Sequence, residues 1–164
     1  MKVLIVEDDE FKGRRIGQAL RDYRPDVDLR LERSVNSGLK GIVEYVPDLV
    51  LLDMSLTTFD VGPNEPGGRP QNFGGLEILR HMDRLGIVIP VVVITQHERF
   101  ARGTQEVHLS VVRSELEEQH EQVFRGLVYY NSARGGWERE LRSLINDITN
   151  RGGAGIGRKD SRRR

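Results

Sequence analysis

Residues 47–56 read PDLVLLDMSL, and this stretch decides the fold. Four apolar residues, Leu49–Leu52, follow Asp48 without interruption, and the run ends at a carboxylate, Asp53. A short apolar run preceded by a proline is typical of a strand buried on both faces, as the central strands of parallel sheets are. A charged side chain is costly inside such a strand, so we expect Asp53 where the strand leaves the core. In open α/β sheets, ligands bind at that end of the strands.

Strands and helices alternate along the rest of the chain. Apolar or alternating runs predict strands at residues 2–6, 27–31, 49–52, 87–95 and 126–130. Apolar residues spaced three and four apart predict helices at 10–23, 35–46, 76–85, 107–124 and from 137 onward. Repeated βα units with short links imply right-handed crossovers and a parallel sheet with helices on both faces. The expected fold is α/β: a doubly wound, three-layer α/β/α sheet with strand order 2-1-3-4-5.

Composition is typical of a soluble globular protein. The 164 residues are 37% hydrophobic and 30% charged, with no cysteine, which excludes disulfides, thiolate metal sites and cysteine nucleophiles. No apolar run approaches the roughly 18 residues of a membrane-spanning helix. The N-terminal residues do not resemble a signal peptide either, because the short apolar run after Met1 is followed directly by acidic residues. We therefore expect a cytoplasmic protein.

One domain and a tail account for the chain. Residues 1–150 are predicted to form the domain, and residues 151–164, RGGAGIGRKDSRRR, a disordered tail with six basic residues and one acidic residue. A solubilising end is the favoured interpretation of the tail, and a contact with nucleic acid is the alternative.

Acidic residues end two strands that should be neighbours. Glu7 and Asp8 follow the first strand, Asp53 follows the third, and Asp9 is expected to cap the next helix. Carboxylates crowded together repel one another unless a cation is present, and an all-oxygen, partly hydrated site suits Mg²⁺. With Mg²⁺ in place, Asp53 is a plausible nucleophile for a phosphoryl group. Thr95 ends the fourth strand, where its hydroxyl could bond a phosphoryl oxygen.

The motifs resemble those of one family. VLIVEDDE, DLVLLDMSL, GGLEILRHM and VVVIT together are similar to the receiver domains of bacterial two-component response regulators, over roughly residues 1–96. That resemblance implies the flavodoxin-like fold, with Asp53 as phosphoacceptor and Thr95 as switch residue. It further implies Mg²⁺ held by Glu7, Asp8, Asp53 and the backbone carbonyl of Ser55.

Insertions and a missing lysine set the chain apart from that family. Extra residues are expected near 57–73 and 97–110, in loops that should hang over or beside the acidic pocket. The family's lysine after the last strand is absent, and Lys2, Lys12, Lys40 and Lys159 are all expected to lie out of reach. The favoured replacement is uncharged, from Tyr130, Asn131 or Ser132, so that Mg²⁺ would carry nearly all the neutralisation. Arg134 is the charged alternative.

Three functions remain in view. The first is a stand-alone receiver that exchanges phosphoryl groups with a histidine kinase or phosphotransfer protein and signals to an unknown downstream protein. The second is a degenerate receiver that binds a partner without phosphorylation, which the missing lysine favours. The third is an Mg²⁺-dependent aspartyl-phosphate hydrolase, which would need an acid two residues after Asp53, where Ser55 stands. We therefore expect a signalling protein and not an enzyme.

Overall fold

The computed structural model describes residues 1–60 and 73–154. Its strands are β1 (Lys2–Val6), β2 (Asp28–Glu32), β3 (Leu49–Leu52), β4 (Val91–Thr95), β5 (Arg99–Arg102), β6 (Gln105–His108) and β7 (Phe124–Tyr129). Its helices are α1 (Glu10–Tyr23), α2 (Val35–Tyr45), α3 (Gly74–Arg84), α4 (Leu109–Gln119) and α5 (Trp137–Ala154). None of the helices within these residues is long and apolar enough to cross a membrane.

A parallel sheet in the order β2-β1-β3-β4-β7 forms the middle layer. Counting only the strands of this sheet, the order is 2-1-3-4-5, so the predicted flavodoxin-like fold is confirmed. The order reverses direction between β1 and β3, and the carboxyl ends of these two neighbours therefore open onto the same crevice.

Each face of the sheet buries a separate apolar cluster. Along β1, Val3 and Ile5 pack on the face covered by α1 and α5, whereas Leu4 and Val6 pack on the face covered by α2, α3 and α4. Leu49–Leu52 divide between the two clusters in the same way, and all four residues are buried. Burial on both faces explains why these strands read as unbroken apolar runs.

Side-chain caps fix where the first two helices begin. The Asp9 carboxylate accepts a hydrogen bond from the Lys12 backbone N–H at 2.9 Å, which confirms its predicted capping role. Ser34 caps α2 in a reciprocal capping box with Ser37, and the Ser37 N–H donates to Ser34 Oγ at 3.1 Å. These caps satisfy backbone donors that the first turn of a helix leaves without partners. They also set the point at which the chain leaves the acidic edge of the sheet.

Replacing Ser34 with alanine is expected to destabilise the fold by about 1 kcal/mol, because the Ser37 N–H would lose the buried Ser34 hydroxyl as its acceptor. Chemical denaturation should show a lower midpoint with an unchanged slope. A matched Ser110→Ala exchange, in the exposed first turn of α4, should have a smaller effect. Equal losses in the two variants would contradict this account of the capping box.

The region between β4 and β7 differs from the prediction. A helix was expected over 107–124, but residues 99–108 form the antiparallel hairpin β5–β6 and α4 ends at Gln119. Phe100 explains the hairpin, since it is 3% exposed and packs against Phe73 with ring centroids 5.5 Å apart. The hairpin turns at Gly103, whose φ of +61° suits glycine.

Strand boundaries also shift by a few residues. The β4 strand was predicted from residue 87, but its ladder begins after Pro90, whose carbonyl accepts from the Val50 N–H at 3.0 Å. Proline has no N–H to offer, so it can only open the strand. The last strand begins at Phe124 instead of residue 126, and the second spans Asp28–Glu32 instead of 27–31.

Two expectations fall wholly or partly outside the described residues. The first inserted loop follows Asp53 and passes the start of α2, where the Val35 N–H donates to the Thr57 carbonyl at 2.9 Å. Residues 61–72 of this loop lie outside the description. Whether that loop covers the acidic pocket stays a prediction. The α5 helix continues to Ala154, past the expected domain boundary at residue 150, and residues 155–164 of the expected tail are outside the description as well.

Candidate functional site

Three carboxylates meet where β1 and β3 end. Val6 pairs with Leu52 in the sheet, so Glu7 and Asp8 leave β1 directly beside Asp53. One carboxylate oxygen from each of these acids lies within 4.8 Å of the other two. Glu7 is only 2% exposed and Asp53 only 5%, whereas Asp8 is partly buried, so the cluster forms an acidic pocket with two of its three carboxyl groups shielded from solvent. The structure therefore brings together the acids that the sequence placed at neighbouring strand ends.

Thr95 ends β4, the next strand of the sheet, and is completely buried. Its hydroxyl oxygen accepts a hydrogen bond from the His97 backbone N–H at 3.1 Å. The chain immediately after β4 thus holds the hydroxyl in place. Ser55 lies two residues beyond Asp53 and is partly buried, and the metal-binding role expected for its carbonyl stays a prediction.

A lysine enters the acidic pocket, contrary to the expectation that none could reach it. Lys12 Nζ lies 2.6 Å from Glu7 Oε2 and 3.4 Å from Asp53 Oδ1, and it donates to the Ile94 carbonyl at 3.1 Å. Its side chain is 2% exposed. The expectation that no lysine reaches the pocket is therefore wrong. The prediction that Mg²⁺ would carry nearly all the neutralisation rested on it, and the chain instead supplies an ammonium group of its own.

The position of Lys12 in α1 explains how it reaches the site. Lys12 lies one turn before Ile16 and two turns before Leu20, on the buried face of the helix. Side chains in a helix lean toward its N-terminus, and α1 begins immediately after the acidic residues. The spacing is visible in the sequence, but the expectation that all four lysines lie out of reach did not take into account the buried face that Lys12 shares.

Tyr130 occupies the region just past the last strand, where the family's lysine would be expected. It is buried, and its ring contacts that of Trp137 in a tilted arrangement with ring centroids 4.9 Å apart; Lys12 Nζ lies 5.7 Å from the centroid of the Tyr130 ring. The Tyr130 hydroxyl has no hydrogen-bond partner among the described residues. Arg134, the charged alternative considered from the sequence, is exposed. The cation that pairs with Asp53 therefore comes from α1.

Burial makes ionisation of the carboxyl groups in this pocket energetically unfavourable. Burial and the neighbouring Asp53 carboxylate raise the pKa of Glu7, and Lys12 opposes this shift without cancelling it. Burial likewise raises the pKa of Asp53, with Lys12, Glu7 and the Ser55 backbone acting to lower it. With all three acids ionised, one ammonium group leaves excess negative charge, and a further cation bound in the pocket would stabilise that ionised form.

The donor set fits Mg²⁺. The three carboxylates offer the hard oxygen ligands that this ion prefers, and Asp53 Oδ1 is buried with no hydrogen-bond partner in the described part of the chain. Glu7, Asp8 and Asp53 are the residues that would hold the ion.

Two glycines let α3 close against the loop that carries Asp53. The Gly75 N–H donates to the Met54 carbonyl at 2.9 Å. A Cβ on Gly75 would lie 2.4 Å from the Asp53 carbonyl oxygen, and one on Gly74 would lie 2.7 Å from the Leu56 carbonyl oxygen. No side chain fits between these backbones, so the GG pair fixes the conformation of the site loop.

Comparison with known proteins agrees with the fold described above. No family model matches the chain. A receiver domain from Clostridium thermocellum superposes with a TM-score of 0.62 at 17% identity, over 94% of this chain and 98% of that domain. The fold is that of response regulator receiver domains.

Two sequence relatives extend the likeness. The Detocs response regulatory protein DtcB from Enterobacter cloacae is 25% identical over 150 residues, which are 90% of this chain and all of DtcB. The uncharacterized protein y4jR from Sinorhizobium fredii is 27% identical over 145 residues, which are 87% of this chain and 95% of y4jR. The resemblance to response regulators is thus confirmed at the level of fold and similarity.

Proposed function

We propose that this receiver-like chain accepts a phosphoryl group on Asp53, with Mg²⁺, and signals through contacts with other proteins. The observation that carries the proposal is the pocket itself: a buried aspartate at the end of β3, flanked by Glu7 and Asp8 from β1 and by Thr95 from β4. Each group lies at the carboxyl edge of the sheet, where doubly wound folds bind their ligands. Similarity to DtcB, a response regulatory protein, supports the same function.

The chemistry assigned to Asp53 is a phosphoryl transfer. A carboxylate oxygen of Asp53 attacks the phosphorus atom of a phosphohistidine or of acetyl phosphate. The new P–O bond forms as the bond from phosphorus to the donor breaks, and the donor leaves with its electron pair. Mg²⁺, when bound, would neutralise charge on the transferring oxygens. Glu7 and Asp8 would hold the ion, and the Thr95 hydroxyl is available to donate to a phosphoryl oxygen.

Signalling, and not turnover of an external substrate, is part of the proposal. Hydrolases that use an aspartyl phosphate need a second acid two residues after the nucleophile, and Ser55 occupies that position. The partners we propose are a histidine kinase or phosphotransfer protein that supplies the phosphoryl group, and a downstream protein that reads it. A cytoplasmic location belongs to the same proposal.

A degenerate receiver is the second candidate, and Lys12 is the observation that favours it. An ammonium group 2.6 Å from Glu7 and 3.4 Å from Asp53 could hold the pocket in one state without metal or phosphate. The chain would then bind its partner constitutively. The residual negative charge and the unbonded Asp53 Oδ1 favour the phosphorylated receiver over this alternative.

Incubation with acetyl phosphate and Mg²⁺ tests the proposal. Intact mass should show one added phosphate on the wild type and none on Asp53→Asn. Asp26→Asn is the matched control, since Asp26 is an exposed aspartate in the turn before β2, and it should label like the wild type. An unlabelled wild type, even with a cognate kinase present, would instead favour the degenerate receiver.

A further inference from the structure

The strongest unassigned feature is the buried ammonium group of Lys12. An ammonium group has three hydrogens to donate. Glu7 Oε2 at 2.6 Å and the Ile94 carbonyl at 3.1 Å account for two of these. Asp53 Oδ1 lies 3.4 Å from Nζ and has no hydrogen-bond partner among the described residues. The ammonium group is therefore directed at the proposed phosphoacceptor without being fully committed to it.

We propose that Lys12 is the residue that pairs with the phosphoryl group on Asp53, so that α1 supplies the phosphate-binding cation of this chain. The inference rests on the function proposed above. A phosphoryl group attached through an Asp53 oxygen adds acceptor oxygens beside Oδ1, within reach of Nζ. It also adds negative charge to a pocket whose metal-free form contains one ammonium group among three carboxylates. An ionic hydrogen bond between Lys12 and the phosphoryl oxygens would offset that charge.

Lys12 also connects the site to two other elements. Its ammonium group donates to the carbonyl of Ile94, the residue before Thr95, and lies 5.7 Å from the Tyr130 ring. The Tyr130 N–H in turn donates to the Thr95 carbonyl at 2.8 Å. A shift of Nζ toward a phosphoryl group would alter contacts at the ends of both β4 and β7. Lys12 would thus act both on the phosphate and on the residues expected to respond to it.

A fixed counter-ion for Glu7 is the competing interpretation of Lys12. In that case the ammonium group would stay on Glu7 whether or not Asp53 carries a ligand. The two interpretations differ in what happens at Nζ when Asp53 is occupied. They differ again in the effect of removing the Lys12 charge. Loss of a purely structural lysine should weaken the binding of every ligand of the pocket to the same extent.

NMR spectra of the lysine side chains in the wild-type protein distinguish the phosphate-pairing role of Lys12 from the counter-ion role. The chain has four lysines, so lysine side chains labelled with ¹³C and ¹⁵N give few signals, and Lys12→Arg identifies the one from Lys12. Beryllofluoride with Mg²⁺ serves as the phosphoryl mimic on Asp53. The Lys12 signal should shift on adding the mimic, beyond its shift with Mg²⁺ alone, while the Lys40 signal stays in place. An unchanged Lys12 signal, under conditions in which the mimic binds, would overturn the inference.

Opposite changes in two affinities provide the second test. In Lys12→Met, Mg²⁺ should bind more tightly, on the order of 10-fold, because a competing positive charge is gone. Beryllofluoride, measured at saturating Mg²⁺, should bind more weakly, on the order of 100-fold. Lys40→Met, which removes an exposed lysine on α2, should change neither affinity. Parallel losses of both affinities in Lys12→Met would assign Lys12 a structural role only and overturn the inference.

Failure of this inference can be told from failure of the proposed function. If Asp53 is phosphorylated and the mimic binds Lys12→Met as tightly as the wild type, the receiver function stands and the role of Lys12 is overturned. If the wild type is neither phosphorylated by its donors nor bound by beryllofluoride, the proposed function fails and the phosphate-pairing role fails with it.

Discussion

Lys12→Met should melt on the order of 10 °C below the wild type in buffer without divalent cations, a loss of about 3 kcal/mol. The variant keeps the length of the buried side chain but removes the ammonium group that lies 2.6 Å from Glu7 and 3.4 Å from Asp53. Removing one partner of a buried ion pair leaves the other charge uncompensated, which costs more than the pair contributes. Thermal unfolding followed by circular dichroism measures the loss.

Restoring the charge balance should recover stability. Adding Mg²⁺ should raise the melting temperature of Lys12→Met more than that of the wild type, since the variant lacks an internal cation. The double exchange Glu7→Gln with Lys12→Met should also be more stable than Lys12→Met alone, because one buried carboxylate is gone. Lys40→Met should melt near the wild type, since its side chain is 69% exposed. Equal melting temperatures for Lys12→Met and Lys40→Met would contradict the assigned role of the buried lysine.

The deficit of Lys12→Met should grow with pH. Burial and Asp53 raise the pKa of Glu7 to about 9, above its ordinary value of 4.5, and Lys12 is the neighbour that lowers it. A carboxyl group with a raised pKa binds its proton more tightly in the folded state, so folding stability falls as pH rises between the unfolded and folded pKa values. Removing Lys12 widens that window. Melting temperatures of the two proteins should therefore fall alike from about pH 6 to about pH 8, and the gap between them should grow from about pH 9 to about pH 10, where only the variant is still inside its window.

Gly75→Ala should disrupt both stability and phosphorylation. The new Cβ would lie 2.4 Å from the Asp53 carbonyl oxygen and 3.0 Å from Met54 Cα, so backbone atoms of the site loop would have to move. Alanine is favoured over glycine in a helix by about 1 kcal/mol, but overpacking against backbone costs up to about 3 kcal/mol. The steric term dominates, and we expect a net loss of about 2 kcal/mol in stability together with slower labelling of Asp53.

Gly152→Ala is the matched control for Gly75→Ala. It lies near the end of α5, and an added Cβ there meets no atom within 4 Å. Helix propensity alone should act at this position, so the exchange should leave stability unchanged or slightly raised. If Gly75→Ala behaves like Gly152→Ala, α3 does not constrain the site loop as the structure implies.

The sheet and the acidic cluster could be predicted because their signals are local. Unbroken apolar runs at β1, β3 and β4 indicated strands buried on both faces, and each run ended at the polar residue that lies in or beside the pocket. Strand order then followed from general rules for doubly wound sheets. Glu7, Asp8 and Asp53 meet because the strands that precede them are neighbours in the sheet. This proximity follows from the strand order alone and does not depend on side-chain conformations.

Lys12 and the β5–β6 hairpin could not be predicted in the same way. Lys12 depends on a long side chain that lies along the buried face of α1 and reaches a pocket formed by other elements. Its helical register can be read from the sequence, but lysine is rarely buried, so the register alone does not place the ammonium group in the pocket. The hairpin depends on Phe100 contacting Phe73, a residue from a different part of the chain. Both features arise from tertiary contacts between residues far apart in sequence.

Chemical trapping of the phosphorylated residue tests the central claim most directly. Borohydride reduces an aspartyl phosphate to homoserine, which peptide mass spectrometry locates in the sequence. After treatment with acetyl phosphate and Mg²⁺, the account predicts homoserine at position 53 of the wild type and none in Asp53→Asn. Homoserine at another position, or a phosphorylated protein in which Asp53 remains unreduced, would contradict it.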